Sequence, residues 1–418
     1  MILQIIDVLQ KALNKGFFHL LSASYIVQFF GFSSLIIVSK LLTPQELGAV
    51  KVIQSYVDIM IVLSSLGLSS AVLKFCAEDG VDRLSILQKS LVYGFAGSII
   101  GVLLLLAFCT FNSENESELV VRWLPMYSIV IIAAVLTNIH ITYLQATKQF
   151  KKLAFSQSGL KLLTIIIIVF LTYTYGISGY ICGLIFSFYI TVAYFFKQSN
   201  IKILDKFKTF PIGFLKLAVT SMCANVVGVI TNYVDVLMLN YYVMDTALLG
   251  LYAIATIFLM IGRQFVGVVQ SFLTPFFSNH SNDGEWVQRN AYRYQLQIII
   301  ITSAISLGIY LLMYTIINFY FGDEYLLVID MMPYLLLQLV FYSSYAVIGS
   351  VLLAINHNKY NVYTSILHLL IKITVLYFLL KTYGFIGLLF GQVLAELPVI
   401  IIEWYYFKKT IKEVYLIC

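Results

Sequence analysis

The chain is poor in charge and in proline. Only 11% of its 418 residues are charged and six are proline, whereas 61% are hydrophobic. Soluble globular domains are usually about half apolar and about a quarter charged. No polar stretch of this chain is long enough to form a separate soluble domain. The sequence therefore predicts an all-α integral membrane protein.

Cysteine and histidine are few, and neither forms a chemical pattern. The five cysteines (Cys76, Cys109, Cys182, Cys223 and Cys418) have no CxxC spacing, and the five histidines have no HxxxH or HExxH spacing. These spacings are the ones that hold metals or redox-active thiols. We therefore expect no metal, no cofactor and no catalytic residue.

Long apolar runs between short charged segments predict about twelve membrane spans, since one span needs about 20 apolar residues. We place them near residues 17–39, 49–73, 87–111, 120–144, 153–174, 178–196, 212–240, 247–275, 294–320, 331–354, 361–380 and 385–407. The preceding residues 1–16 have an apolar stripe and are expected to form a short amphipathic segment at the membrane surface.

Positive charge is unevenly distributed over the predicted loops. With a cytoplasmic amino terminus, only four of the 26 Lys and Arg lie on outer segments: Lys40, Lys51, Arg122 and Lys381. Because positive charge is retained on the cytoplasmic side, both termini are predicted on the cytoplasmic side of a bacterial inner membrane. The net charge of +6 then faces anionic lipid, and no nucleic-acid partner is expected.

A sequence repeat divides the chain into two halves. Residues 174–183 read TYGISGYICG and residues 382–391 read TYGFIGLLFG, so that Gly176 and Gly384 lie 208 positions apart. The matched segments lie six spans apart, which predicts two parallel six-helix lobes around a central cavity. Transporters that work by alternating access are built in this way, so we expect a transporter rather than an enzyme. We assign spans 1–6 to an N-terminal lobe, residues 1–205, and spans 7–12 to a C-terminal lobe, residues 206–418.

Six ionisable residues fall inside the predicted spans: Asp58, Lys161, Asp235, Arg263, Lys372 and Glu396. Each costs about 2.5–3.5 kcal/mol to insert, so each should face a cavity or a partner. The three cations suit an anionic substrate head, and internal salt bridges, for instance Arg263 with Asp58 or Lys372 with Glu396, are the alternative. The three acids either couple transport to an H⁺ or Na⁺ gradient or neutralise the cations. Glu403, near the end of span 12, is expected to extend to the interface.

The stretch from residue 39 to residue 75, SKLLTPQELGAVKVIQSYVDIMIVLSSLGLSSAVLKF, resembles the opening of the Wzx-type polysaccharide flippases. These belong to the MOP superfamily, which also contains the MATE exporters. The matching residues are Lys40, Leu42, Pro44, Glu46 and Gly48 after span 1, and Gly67, Leu68, Ala71 and Lys74 at the end of span 2. Thr43 stands where glycine is usual, and Lys40 and Lys74 stand where arginine is usual.

The resemblance implies a MATE-like fold and the flipping of an undecaprenyl-pyrophosphate-linked oligosaccharide by alternating access. The cargo would be an O-antigen or capsular unit moving from the cytoplasmic to the periplasmic leaflet, with a polysaccharide polymerase and a chain-length regulator as further partners. A MATE-type multidrug or cation antiporter is one alternative, and it should have an acidic cavity. A membrane polymerase is another, and it should have a large outer loop, whereas the longest outer loop here is about residues 112–120.

Overall fold

The computed structural model describes residues 30–78, 80–199 and 210–415, and nearly all of them lie in helices. These described residues contain no β-strand. We number the α-helices α1 (Phe30–Leu41), α2 (Pro44–Ser64), α3 (Leu68–Phe75), α4 (Arg83–Phe111), α5 (Glu118–Ser128), α6 (Val130–Ala146), α7 (Phe150–Ser199), α8 (Phe214–Val243), α9 (Thr246–Ser278), α10 (Gly284–Tyr320), α11 (Leu327–Ala354) and α12 (Lys359–Tyr415).

Eight of these helices are long and apolar enough to span a membrane, and the pair α5 and α6, bent by 46°, forms a ninth span. Helices α7 and α12 have 50 and 57 residues. At 1.5 Å per residue each is more than twice the roughly 30 Å of a bilayer core. Each is in fact a hairpin of two helices. With the second arm of each hairpin, the described residues contain eleven of the twelve predicted spans. Helix α1 is the described part of span 1, whereas residues 17–29 of that span and the predicted amphipathic segment 1–16 lie outside the described residues.

The two hairpins reverse at the glycines of the sequence repeat. Gly176 has φ 60° and ψ −138°, and Gly384 has φ 60° and ψ −140°. Residues with a side chain rarely adopt this backbone conformation, so glycine is required. Three residues later a Cβ atom on Gly179 would lie 1.9 Å from Leu171 O, and one on Gly387 would lie 2.0 Å from Leu379 O. The repeat therefore encodes two turns of the same geometry.

The repeat extends to the helix ends before each hairpin. Helices α6 and α11 both end two residues before a non-glycine residue with positive φ, Lys148 at 57° and Asn356 at 63°. The next amide closes the turn in the same way: Gln149 N donates to Leu144 O at 2.9 Å, and His357 N donates to Leu352 O at 2.8 Å. The repeated sequence is thus a repeated local structure.

The second span was predicted as one unbroken helix, but the structure divides it into two helices. Helix α2 ends at Ser64 and α3 begins at Leu68, with Leu66 and Gly67 at positive φ between them. A Cβ atom on Gly67 would lie 1.9 Å from Ala218 O on α8. The break is therefore fixed by the close approach of a backbone that leaves no room for a side chain.

The chain forms two compact units, Met1–Val229 and Ile230–Cys418, which divide inside α8. The lobe boundary predicted between residues 205 and 206 lies outside the described residues and stays a prediction. The first part of α8 packs within the N-terminal unit, where buried Phe214 contacts Phe75 at 5.4 Å between ring centroids. In the C-terminal unit, α11 is central because it packs against α9, α10 and α12.

Candidate functional site

Four of the six predicted intramembrane charges meet in the C-terminal unit. Asp235 lies on α8, Arg263 on α9, Lys372 on the first arm of α12 and Glu396 on its second arm. Asp235, Lys372 and Glu396 are 6%, 3% and 1% exposed. Their insertion cost is met by polar partners inside the unit, as the following contacts show.

Asp235 is surrounded by donors on three helices. Tyr252 OH donates to its Oδ2 at 2.5 Å, and Gln392 Nε2 donates to the same atom at 2.6 Å. Lys372 Nζ lies 4.0 Å from Oδ2 and also donates to Thr231 O at 2.8 Å. A buried carboxylate with two charge-assisted hydrogen bonds and an ammonium neighbour is stable as an anion. Lys372 therefore pairs with Asp235 and not with Glu396.

Glu396 forms the second centre of the same network. Gln338 Nε2 donates to its Oε1 at 3.1 Å, and Tyr345 OH donates to its Oε2 at 2.9 Å. His368 Nε2 lies 3.8 Å from Oε1. Gln338 also donates to Gln392 Oε1 at 3.2 Å, so one chain of polar side chains joins both carboxylates. Buried networks of this kind hold their members in one arrangement when every member is paired.

Arg263 is the cation of this cluster with spare hydrogen-bonding capacity. Its Nε is buried, and none of the described residues accepts a hydrogen bond from it. The guanidinium lies 6.0 Å from the ring centroid of Tyr342, and its charge acts on both Asp235 and Lys372. A guanidinium carries five donors in a planar fork. The described residues therefore leave the Nε–H donor of Arg263 without an acceptor.

The other two predicted site residues belong to the N-terminal unit. Lys161 is half-buried on the first arm of α7, where its Cε lies 3.4 Å from the position of a Cβ atom on Gly31 of α1. Asp58 is half-buried on α2. Whether Lys161 shares one cavity with Arg263 and Lys372 stays a prediction.

The sequence interpretation overlooked the uncharged members of the network. Gln338 and Gln392, 2% and 0% exposed, join the carboxylates, and His368 stands beside Glu396. Their spacing from the charged residues could have identified two of them, His368 and Gln392, in the sequence. His368 and Lys372 are four residues apart, as are Gln392 and Glu396, and residues at this spacing share one helix face. Polar residues at helical spacing within an apolar run thus mark the inward face.

The fold is shared with solved MOP transporters. A multidrug resistance MATE transporter in an inward-facing conformation superposes with a TM-score of 0.77 at 14% identity, over 93% of this chain and 95% of that one. The lipid II flippase MurJ, inward closed, gives 0.77 at 20% identity, over 95% and 90%. A MOP superfamily transporter from Pyrococcus furiosus, described as having a binding pocket of reverse polarity, gives 0.66 at 14% identity, over 97% and 96%.

The sequence comparisons give one family. Curated protein sequences give no match. The family described as polysaccharide biosynthesis protein matches residues 37–330, which is well over half of the chain and includes Asp235, Arg263 and the stretch whose resemblance was noted above. This multi-pass membrane protein of MOP fold therefore belongs to the polysaccharide biosynthesis protein family.

Proposed function

We propose that this protein is a flippase that carries an undecaprenyl-pyrophosphate-linked oligosaccharide across the bacterial inner membrane, from the cytoplasmic to the periplasmic leaflet. Membership of a polysaccharide biosynthesis family and the MOP fold support this proposal. Both termini are cytoplasmic in it, as the distribution of Lys and Arg predicts. The oligosaccharide is an O-antigen or capsular unit.

The observation that carries the proposal is the state of Arg263. Its guanidinium lies within a membrane-spanning helix, and among the described residues its buried Nε finds no acceptor. A pyrophosphate supplies several charged oxygens, and arginine binds such oxygens through two parallel hydrogen bonds. An uncompensated phosphate in hydrocarbon costs many kcal/mol, so a path for it needs positive charge or water. Lys161 and Lys372 are the other cations that we assign to this path.

A MATE-type cation antiporter is the second candidate, and the burial of Asp235 and Glu396 favours it. In the C-terminal unit, however, Lys372 and Arg263 match these two acids in charge. A cavity for cationic drugs should have an excess of acid. The network of Asp235 and Glu396 therefore lacks the excess of acid that a site for cationic drugs should have.

Direction needs an energy source, for which two mechanisms fit. An H⁺ or Na⁺ gradient can couple through Asp58, Asp235 or Glu396, and each charge moved supplies about 2.3 kcal/mol per 100 mV. A periplasmic polymerase, acting with a chain-length regulator, can instead consume the flipped product.

The test replaces Arg263 and measures translocation. Arg263→Ala should abolish surface polysaccharide at normal protein abundance, with repeat units accumulating in the inner leaflet of the membrane. Arg263→Lys should retain part of the activity, because the charge survives while the fork geometry is lost. Arg289→Ala, which removes an exposed arginine before the start of the ninth predicted span, is the matched control and should behave as wild type.

Three results separate the candidates. Wild-type translocation of lipid-linked units by Arg263→Ala in reconstituted vesicles contradicts the proposed binding role. Accumulation in the outer leaflet points to the polymerase. Loss of drug-cation export without any change in polysaccharide points to the antiporter.

A further inference from the structure

A third buried carboxylate, that of Glu403, lies outside the network of Asp235 and Glu396. Glu403, on the second arm of α12, is only 3% exposed, whereas the sequence predicted that it would extend to the interface. The prediction was wrong because the helix does not end near Glu403 but continues to Tyr415. Glu403 therefore lies within the helix, on its buried face. Its Oε2 is buried without a hydrogen-bond donor, and no described basic side chain pairs with it.

A second unpaired acceptor is held beside it. Asn361, on the first arm of α12, has a buried Oδ1 that receives no hydrogen bond from the described part of the chain. Its orientation is fixed, because Nδ2 donates to Gly349 O at 2.9 Å and to Asn358 Oδ1 at 3.0 Å. Rotating the amide by 180° would lose both bonds. Asn361 therefore presents oxygen, not nitrogen, to its remaining neighbours.

Oxygen atoms of both side chains lie beside a glycine of α11: the Oδ1 of Asn361, and the Oε1 of the same Glu403 carboxyl whose Oε2 is unpaired. The position that a Cβ atom would take on Gly349 lies 3.4 Å from Glu403 Oε1 and 3.7 Å from Asn361 Oδ1. The Thr364 side chain lies beside the carboxyl, and its Oγ1 already donates to Tyr360 O at 2.9 Å. One hydroxyl proton cannot serve both acceptors. Glu403, Asn361 and Thr364 thus bring three oxygen-bearing side chains to one place, and Tyr360 O already accepts the hydroxyl proton of Thr364.

We propose that Glu403, Asn361 and Thr364 bind one monovalent metal cation, for which Na⁺ is the probe. Carboxylate, amide and hydroxyl oxygens are the ligands of hard cations. The charge of the ion follows from the charge of the site. One carboxylate neutralises one positive charge, whereas a divalent ion would leave a net charge buried among apolar helices.

This site is separate from the proposed path of the cargo. Glu403 lies seven residues beyond Glu396, which is about 10 Å along the helix axis. It joins α11 to both arms of the α12 hairpin, so a bound cation would tie these three helices together. The inference does not depend on the proposed function, because its test measures ion binding and not transport.

The experiment titrates Na⁺ against the purified full-length protein in lipid nanodiscs, with choline chloride keeping the ionic strength constant. We expect saturable binding of radioactive sodium and a saturable rise of the unfolding midpoint, since a ligand that binds only the folded state stabilises it. Glu403→Gln keeps the side-chain shape, removes the buried charge and should lose both effects. Gly349→Ala puts a carbon atom beside two of the ligands and should weaken both.

The matched control is Glu413→Gln on the same arm, where an exposed carboxylate pairs with Lys409. It should keep the wild-type response to Na⁺. A wild-type protein that binds no sodium, with a midpoint that depends on pH alone or on neither variable, overturns the proposal in favour of a proton or a water. Equal sodium binding by wild type, Glu403→Gln and Gly349→Ala also overturns it, because the ion would then bind elsewhere.

Discussion

Replacing Lys372 with methionine leaves the Asp235 carboxylate buried without its cationic partner. At the observed 4.0 Å, two unit charges attract by about 4 kcal/mol at an effective dielectric constant of about 20. Breaking a buried pair by removing one partner typically costs about 3–5 kcal/mol. We therefore expect Lys372→Met and Asp235→Asn each to lower the free energy of unfolding by about that amount.

The double variant should be far less destabilised than the sum of the two single variants. It leaves no uncompensated charge, and an asparagine at position 235 still accepts hydrogen bonds from Tyr252 and Gln392. The coupling energy of this double-mutant cycle should be at least about 2 kcal/mol. The measurement is the free energy of unfolding of the four proteins in one detergent, by denaturant titration.

A surface pair supplies the control cycle. Lys409 Nζ and Glu413 Oε1 are 3.9 Å apart, nearly the same distance, but their side chains are 41% and 52% exposed. Exposed pairs contribute only about 0.2–1 kcal/mol because water screens them. If the buried cycle gave no more coupling than the Lys409–Glu413 cycle, the ion pair between Lys372 and Asp235 would be refuted.

Two further predictions concern the fold. Gly384→Ala should destabilise the protein by about 1–3 kcal/mol, since it forces a side chain into a glycine-only conformation, whereas Gly308→Ala on α10 meets open space and should not destabilise it; unfolding midpoints of both variants check this. In a cysteine-free background, a cysteine at position 116 should react with an impermeant maleimide from the periplasm and one at position 204 only from the cytoplasm, and the reverse pattern would contradict the orientation.

The sequence predicted the membrane class, the twelve apolar segments and the repeat because these depend on local features. Apolar length marks a span whatever its neighbours are. Gly176 and Gly384 were visible because the repeat places them 208 positions apart, and their positive φ explains the glycine at both positions. The charges Asp235, Arg263, Lys372 and Glu396 were visible because their cost in hydrocarbon makes them exceptional wherever they occur.

The partners of these charges could not be predicted from the sequence. Lys372 forms an ion pair with Asp235 and donates to Thr231 O because α8 lies beside the first arm of α12. This adjacency depends on the packing of helices far apart in sequence. The burial of Glu403 depends in the same way on α11, whose Gly349 leaves space for its carboxylate. The break at Gly67 depends on the approach of Ala218.

The repeat separates what the fold needs from what the network adds. The α7 and α12 hairpins share the turn glycines and the same contacts at Leu171 and Leu379. The polar residues of the α12 hairpin are not repeated: the positions 208 residues before His368, Lys372, Gln392 and Glu396 hold Leu160, Thr164, Leu184 and Phe188. The α7 hairpin forms the same turn with none of these charges.

Hairpin formation therefore does not require Lys372 or Glu396, although each costs about 2.5–3.5 kcal/mol to insert. Tyr252 and Gln392 offset that cost for Asp235, and Gln338 and Tyr345 offset it for Glu396. The C-terminal unit therefore has polar residues at several positions where the turn geometry does not need them. The network is therefore not needed for the turn, and under the proposed function the unpaired Nε of Arg263 serves the cargo.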